Sequence, residues 1–202
     1  MRTGRVEAFS DGVIAILITI MVLELHTPKS PSWEALAEDL PVLLAYLLSF
    51  VYLGIYWNNH HHMLAAVSRV SGAVLWANLH LLFWLSLVPF ATAWMSENGF
   101  ATIPTAVYGL VLLLAAVAYY VLQGTLLRAQ GRGSRLAAAV GRDLKGKLSP
   151  WLYCAGIALS FLNQWLGIAV YVVVALIWLV PDRRVEREIT HHDEREEQPT
   201  RS

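Results

Sequence analysis

The chain has 202 residues, of which 56% are hydrophobic and 15% are charged. Soluble domains contain about 45 to 50% apolar residues, so the composition excludes a soluble globular protein and predicts a polytopic membrane protein. The 15 basic and 15 acidic side chains give a formal charge of zero. Because the basic residues lie between the apolar runs and at the ends, they are expected to orient the protein in a membrane, and no nucleic-acid partner is predicted.

Six apolar segments, separated by Pro, Gly and charged residues, are predicted to be transmembrane helices of an all-α fold. They cover residues 5–25, 40–63, 72–95, 104–127, 149–163 and 165–181. The last two share the apolar block 152–180, which is too long for one span with modest tilt and is divided by Asn163 and Gln164. We therefore predict a hairpin of two short, tilted helices. Between the first two segments, a short helix is predicted with Ser32 as its N-cap.

The distribution of Lys and Arg residues tests this topology. With six crossings, Lys29 faces one side and all the other basic residues face the opposite side. The positive-inside rule then places both termini in the cytoplasm of a multi-pass protein of the cell membrane. If the last block were a single helix, the arginines after Pro181 would lie outside. The predicted domains are a transmembrane domain, 1–181, and a charged cytoplasmic tail, 182–202.

The first segment is unusual because charged residues occupy one of its ends. Its dry part, 12–23, is only about 12 residues or 18 Å long, whereas the hydrocarbon core is about 30 Å thick. Arg5, Glu7, Ser10 and Asp11 precede this part directly. The charged end must therefore pass through protein or water, as in a helix that lines a pore or a transport pathway.

The string Arg5-x-x-x-Phe9-Ser10-Asp11 places Arg5 and Phe9 on one face of a helix, with Ser10 and Asp11 beside them. Two interpretations are open. In the first, the polar residues form a network that fixes the first helix against its neighbours at a pore mouth. In the second, the helix start is solvated among the lipid headgroups and Arg5 snorkels to water.

This string, followed by Ala15-Ile16 and by the run 19–24, resembles the signature of the transmembrane protein 175 family. That family comprises the endosomal and lysosomal potassium channels and their prokaryotic relatives. The resemblance implies a homotetramer of six-helix subunits in the lipid bilayer, with the first helix of each subunit lining a potassium-permeable pore. It implies no cofactor apart from the permeant potassium ion. The potassium-channel filter sequence Thr-Val-Gly-Tyr-Gly is absent from this chain.

The resemblance also implies that apolar side chains of the first helix narrow the pore. On this sequence the constriction would contain Ile16, Ile20 and Leu23, which share a helix face with the polar pore-lining residue Thr19. Such apolar rings can act as a hydrophobic gate by dewetting. The alternatives are ordinary helix packing for the apolar residues and, for Thr19, a hydrogen bond to the carbonyl of Ala15.

Three consecutive histidines, 60–62, close the second segment. Successive helical residues point about 100° apart and cannot converge on one ion, so no metal site is predicted from them. The resemblance makes His60 and His61 candidate partners of the first-helix motif, and polar residues of the third segment join them as candidates. The complete predicted network contains Arg5, Phe9, Ser10, Asp11, His60, His61, Asn78 and His80. The alternative for Asn78 and His80 is a purely structural contact between helices.

Glu24 ends the first helix and is predicted to lie at the outer mouth of the pore, where four copies would concentrate cations. A solvated acid without a role is the alternative. Two residues are expected to shape the packing, Pro89 by a kink and Gly109 by close approach of helices.

Three function classes compete. A cation channel agrees best with a polar cluster at one membrane face and an apolar middle of the first helix. A proton-conducting channel or a proton-coupled secondary transporter is the alternative, although transporters place broken helices near the midplane. The sequence contains no Walker loop, serine elbow or zinc motif, so an enzyme is not predicted.

Overall fold

The computed structural model describes residues 3–67, 70–130 and 144–179, and the regular structure in these ranges is helical. The helices are α1 (Thr3–Leu23), α2 (Trp33–Glu38), α3 (Leu40–Ala65), α4 (Gly72–Ser86), α5 (Val88–Glu97), α6 (Thr102–Gln130), α7 (Leu144–Ser160) and α8 (Gln164–Leu179). The predicted charged tail, 182–202, lies outside the described residues. The expectation of an all-α membrane protein is therefore confirmed at the level of its helices.

Within the described ranges, four helical stretches are long and apolar enough to cross a membrane, and they coincide with the first four predicted segments. They are Thr3–Leu23, Leu40–Ala65, Gly72–Glu97 and Thr102–Gln130. The third stretch contains the break between α4 and α5. Pro89 has no N–H to donate to the preceding turn, and Leu87 instead donates to the Trp84 carbonyl at 3.2 Å.

α7 and α8 are shorter, with 17 and 16 residues, and pack against each other as a hairpin. The turn lies at the predicted position. Asn163 there accepts a hydrogen bond from the main-chain N–H of Trp165 through its side-chain oxygen, at 2.9 Å. An Asn that caps in this way ends one helix and starts the next.

The short helix α2 begins as predicted, because the Ser32 hydroxyl accepts a hydrogen bond from the Ala35 N–H at 3.2 Å. Hydrogen bonds from the main-chain N–H of Glu34 and from the Ser32 hydroxyl hold the pKa of the Glu34 carboxyl below its usual range. The carboxylate is therefore the form that this first turn favours. α2 contains no buried residue and is a surface feature.

Four buried tyrosines form the centre of the subunit, one from each of α3, α6, α7 and α8. They are Tyr52, Tyr108, Tyr153 and Tyr171. The Tyr52 hydroxyl donates to the main-chain carbonyl of Tyr171 at 2.6 Å, and the rings of Tyr108 and Tyr171 lie 5.8 Å apart. These contacts connect the hairpin α7–α8 to the first half of the chain.

Two glycines provide the space for Tyr171. A Cβ at Gly109 on α6 would overlap the Tyr171 hydroxyl, and a Cβ at Gly156 on α7 would come within 2.6 Å of the Tyr171 ring. The expectation that Gly109 permits close packing is thus confirmed. A polar chain also crosses this core: Ser49 lies 2.7 Å from the Thr92 hydroxyl and 3.0 Å from the Tyr108 hydroxyl. Thr92 in turn donates to the Val88 carbonyl at 2.7 Å.

Candidate functional site

The first helix has one covered and one uncovered face. Its buried residues follow a spacing of three and four, which places them on one side of the helix. They are Thr3, Val6, Ser10, Ile14, Leu17 and Met21. This side packs against α3, α4 and α5. This face therefore makes the main packing contacts of α1 within the subunit.

The residues predicted to form the pore constriction all lie on the opposite, uncovered face. Ile16 is 57% exposed, Ile20 is 39% exposed and Leu23 is 80% exposed. Thr19, between them, is also exposed. A single subunit thus leaves a row of large apolar side chains partly uncovered, with exposures of 39% to 80%. Water, lipid or another subunit can occupy the space beside it.

The Thr19 hydroxyl donates to the carbonyl of Ile16 at 2.9 Å. The prediction of Ala15 as its acceptor was therefore wrong: the hydroxyl reaches three residues back along α1 instead of four. A hydroxyl oxygen has two lone pairs. Since the proton is used within the helix, the Thr19 oxygen can still accept a hydrogen bond or contact a cation on the exposed side.

A buried chain of hydrogen bonds joins α1, α3 and α4. The Nε2 of His60 lies 2.7 Å from the Asn78 side-chain oxygen, the Asn78 Nδ2 donates to the Ser10 hydroxyl at 2.9 Å, and Ser10 donates to the Val6 carbonyl at 2.9 Å. Because the Asn78 oxygen is an acceptor, His60 must carry its proton on Nε2. Its Nδ1 is buried and has no hydrogen-bond partner in the part of the chain that the structure describes. The chain fixes three helices at one point, since each of its side chains is almost fully buried.

A second polar group lies beside this chain and is partly exposed. His61 Nδ1 and Glu7 Oε1 form an ion-pair contact of 2.8 Å between α3 and α1. Asp11 lies next to them, with one ligand atom from each of the three residues within 4.8 Å of the others. The Asp11 Oδ1 is buried and has no hydrogen-bond partner within residues 3–67, 70–130 and 144–179. Two carboxylates therefore face one imidazole at the start of α1.

Other residues of the predicted network lie apart from these groups. Arg5 is exposed and has no hydrogen bond or ion pair with any residue that the structure describes, and Phe9 is 54% exposed. His80 is exposed and accepts a hydrogen bond from the Trp84 indole N–H at 3.0 Å, on its own helix. The structure thus brings together Ser10, His60 and Asn78 and leaves His80 outside. Glu24 is exposed immediately after α1.

Sequence reasoning did not assign a role to Glu7. The signal was present, because Glu7 and Asp11 are four residues apart on a helix and therefore share a face. The partner was harder to choose, since three consecutive histidines point in three directions and only the packing of α3 against α1 selects His61. The tyrosine centre was also missed, because its members come from four separate segments.

The helices and the site together define a polytopic, all-helical membrane protein whose first helix has a buried polar anchor at one end and an uncovered apolar face beyond it. The family model described as endosomal/lysosomal potassium channel TMEM175 matches residues 5–89. A protein of Chryseobacterium sp. (strain P1-3) named as a potassium channel is 51% identical over 94% of this chain and 98% of its own length. The chain belongs to the TMEM175 family, and the resemblance found in the sequence is confirmed.

A solved structure has the same fold. The crystal structure of a lysosomal potassium-selective channel TMEM175 homolog from Chamaesiphon minutus matches with a TM-score of 0.75 and 34% identity, over 88% of this chain and 96% of that chain. The chicken protein named endosomal/lysosomal proton channel TMEM175 is 34% identical over 46% of this chain and 21% of its own length. These relatives carry the names of ion channels and not of enzymes.

Proposed function

We propose that this protein is a potassium-permeable cation channel of the cell membrane, built as a homotetramer whose α1 helices line a central pore. The observation that carries the proposal is the uncovered face of α1, with Ile16, Ile20 and Leu23 on it. Three bacterial relatives are named as potassium channels, which supports potassium as the permeant ion. The family of channels also supports the expectation that the protein is not an enzyme.

Four copies of α1 around an axis would stack their exposed side chains as rings. Rings of Ile16, Ile20 and Leu23 would give a permeating ion no oxygen ligands, so a narrow pore would dewet and close. The ring of Thr19 hydroxyls lies within the same stretch and would provide oxygens. The apolar rings would therefore form the gate, and Thr19 would contact the ion when the pore is open. No cofactor enters this mechanism.

The remaining helices would form the frame of each subunit. In the proposed topology, the short helices α7 and α8 are the fifth and sixth crossings, and both termini lie in the cytoplasm. Lys29, between α1 and α2, would be on the outer side, as would Glu24. Four Glu24 carboxylates at the outer mouth would raise the local concentration of cations. The chain Ser10–Asn78–His60 would anchor the cytoplasmic end of α1.

Proton conduction is the second candidate function, because the chicken relative is named as a proton channel. A proton-coupled transporter fits less well, since the described cluster of carboxylates and histidines lies at one end of α1 and not at the middle of the bundle. Current carried across a potassium-free bilayer under a pH gradient measures proton conduction directly. Current that needs potassium or sodium on one side identifies a cation channel.

The decisive experiment is single-channel recording of the purified protein in potassium and sodium. Ile16→Asn is expected to raise the conductance because it places a hydrogen-bonding group in an apolar ring. Thr19→Ala is expected to lower the preference for potassium over sodium because it removes the hydroxyl oxygens.

The matched controls lie on the exposed side of α6. Thr125 is partly exposed and donates to the Val121 carbonyl of its own helix, as Thr19 donates to a carbonyl of α1, and Leu110 is 43% exposed. Thr125→Ala and Leu110→Asn are expected to leave conductance and selectivity unchanged. A wild-type protein without current, or pore variants that behave like the α6 variants, would contradict the assignment of α1 to the pore.

A further inference from the structure

We propose that Glu7, Asp11 and His61 form a binding site for a divalent transition-metal ion, of which Zn²⁺ is the best match, between the start of α1 and the end of α3. The site is separate from the uncovered apolar face of α1 and does not depend on ion conduction. It uses one of the three consecutive histidines, in agreement with the geometric reason that they cannot share an ion.

The geometry is close to that of a three-ligand metal site. One oxygen of Glu7, one of Asp11 and one ring nitrogen of His61 lie within 4.8 Å of one another. Zn²⁺ holds carboxylate oxygens and imidazole nitrogens at about 2.0 to 2.2 Å, so tetrahedral ligands are about 3.4 Å apart. The three atoms therefore need to move by about 1 Å or less to coordinate one ion. The fourth position would remain for water.

The ligand chemistry selects the class of metal. Imidazole nitrogen is a ligand of zinc, nickel, copper and iron, whereas magnesium and calcium take oxygen ligands. Glu7 and Asp11 supply two negative charges and His61 is neutral as a ligand, so a divalent ion makes the site electrically neutral. Neutrality is favourable here because Glu7 is only 24% exposed and two nearby carboxylates repel each other.

An unpaired atom gives independent support. The Asp11 Oδ1 is buried and has no hydrogen-bond partner among the described residues. A buried carboxylate oxygen without a partner is costly, because burial removes its hydrogen bonds to water and nothing replaces them. Glu7 and His61 already pair with each other at 2.8 Å, but this contact does not satisfy Asp11. A metal ion would satisfy all three residues at once.

Access to the site is open from one side. The His61 side chain is 45% exposed, so an ion can enter without unfolding of either helix. Binding would connect α1 to α3 directly, next to the buried chain that contains His60. The ion would thus tighten the same helix junction that Ser10 and Asn78 already hold.

The test measures Zn²⁺ binding to the purified, tag-free, full-length protein in detergent, by competition with a chromophoric zinc chelator. The expected result is one Zn²⁺ per chain, with millimolar Mg²⁺ unable to displace it. His61→Gln and Glu7→Gln are each expected to weaken Zn²⁺ affinity by at least about tenfold, since even outer partners of metal ligands are worth about 10- to 100-fold.

The matched control is His62→Gln, because His62 is the adjacent histidine, is exposed and lies outside the three-residue cluster. It is expected to bind Zn²⁺ like the wild type. Zinc X-ray absorption on the wild-type protein needs no variant and is expected to show one imidazole nitrogen among oxygen ligands. The proposal is overturned if wild type binds no zinc, if the spectrum shows no imidazole, or if His62→Gln weakens binding as much as His61→Gln.

Discussion

α1 and α6 are about equally apolar helices, but they are packed very differently. In the most apolar stretch of α6, 50% of the residues are buried within the subunit, whereas the figure for α1 is 28%. Among the described helices, α6 packs mainly against α4, α5, α7 and α8, and α1 packs mainly against α3, α4 and α5. α6 is thus the centre of a unit that one chain completes, and α1 is a helix that one chain leaves half covered.

This difference indicates a division of labour within the subunit. The α6–α8 region has close-packed tyrosines and glycines, so its side chains have little freedom to move. α1 is held by one face and by a polar anchor at its start, and its other face is free of close packing over much of its surface. A helix that must line a pore in the assembled protein needs such a free face. The three predictions below test this contrast, first in the packed region and last on the free face.

The largest effect is expected for Gly109→Leu on α6. A Cβ at this position overlaps the Tyr171 hydroxyl and would lie 2.9 Å from Ile157, so a leucine must displace α8 or α7. Overpacking typically costs about 1 to 3 kcal/mol and sometimes more, and we expect at least the upper part of this range. The measurement is the thermal unfolding midpoint in detergent, with tryptophan fluorescence as the signal for unfolding.

Gly124→Ala is the control on the same helix. Apart from the neighbouring backbone of α6 itself, no described atom lies within 4 Å of a Cβ at Gly124, and alanine favours the helix by about 1 kcal/mol over glycine. This variant is expected to unfold at the same temperature or higher. If Gly109→Leu were tolerated equally well, the tyrosine centre would not be the rigid part of the subunit.

The sequence predicted where the helices lie along the chain, but not which side of each helix faces its neighbours. The apolar runs and the breakers between them located α1, α3, α6 and the turn at Asn163, because length and hydropathy are local properties. The Tyr108–Tyr171 contact and the Ser49–Thr92 pair were not predictable, since each depends on which side of one helix meets which side of another. Roughly equal hydropathy on all sides of α4 gives no indication of the side that is covered.

A moderate effect is expected for Asn78→Leu on α4. The change leaves the Nε2 proton of His60 and the hydroxyl oxygen of Ser10 without Asn78 in a buried environment. A buried polar group without a partner costs about 1 to 3 kcal/mol. We expect a lower unfolding midpoint and a looser attachment of α1, seen as faster hydrogen exchange of the α1 amides.

His80→Leu is the matched control, because His80 is exposed on the same helix and bonds only Trp84. Its unfolding midpoint is expected to stay close to that of the wild type. If both variants lowered the unfolding midpoint equally, polar residues of α4 would stabilise the protein in general. The hydrogen bond from Asn78 to Ser10 would then make no particular contribution to stability.

The candidate site was predictable only in part. The motif drew attention to Ser10, and the resemblance made His60 a candidate partner of it; the structure links the two through Asn78. His80 was misplaced in the expected network because a polar residue in an apolar segment does not reveal whether it faces a neighbouring helix or its own next turn. Glu7 was overlooked for the opposite reason: an acid at a helix start looks solvated until its partner on α3 is known. The roles of the exposed α1 residues stay predictions.

The smallest effect is expected on the free face of α1, at Leu23→Ala. Leu23 is 80% exposed, whereas Met21, two residues earlier, is 3% exposed. Met21→Ala should cost about 2 to 5 kcal/mol as a core truncation, and Leu23→Ala about 0.5 kcal/mol or less. Unfolding midpoints of the assembled protein check both. If Leu23→Ala destabilises the protein as much as Met21→Ala, another subunit covers Leu23 by close packing, and the residue then belongs to a subunit interface and not to a pore wall.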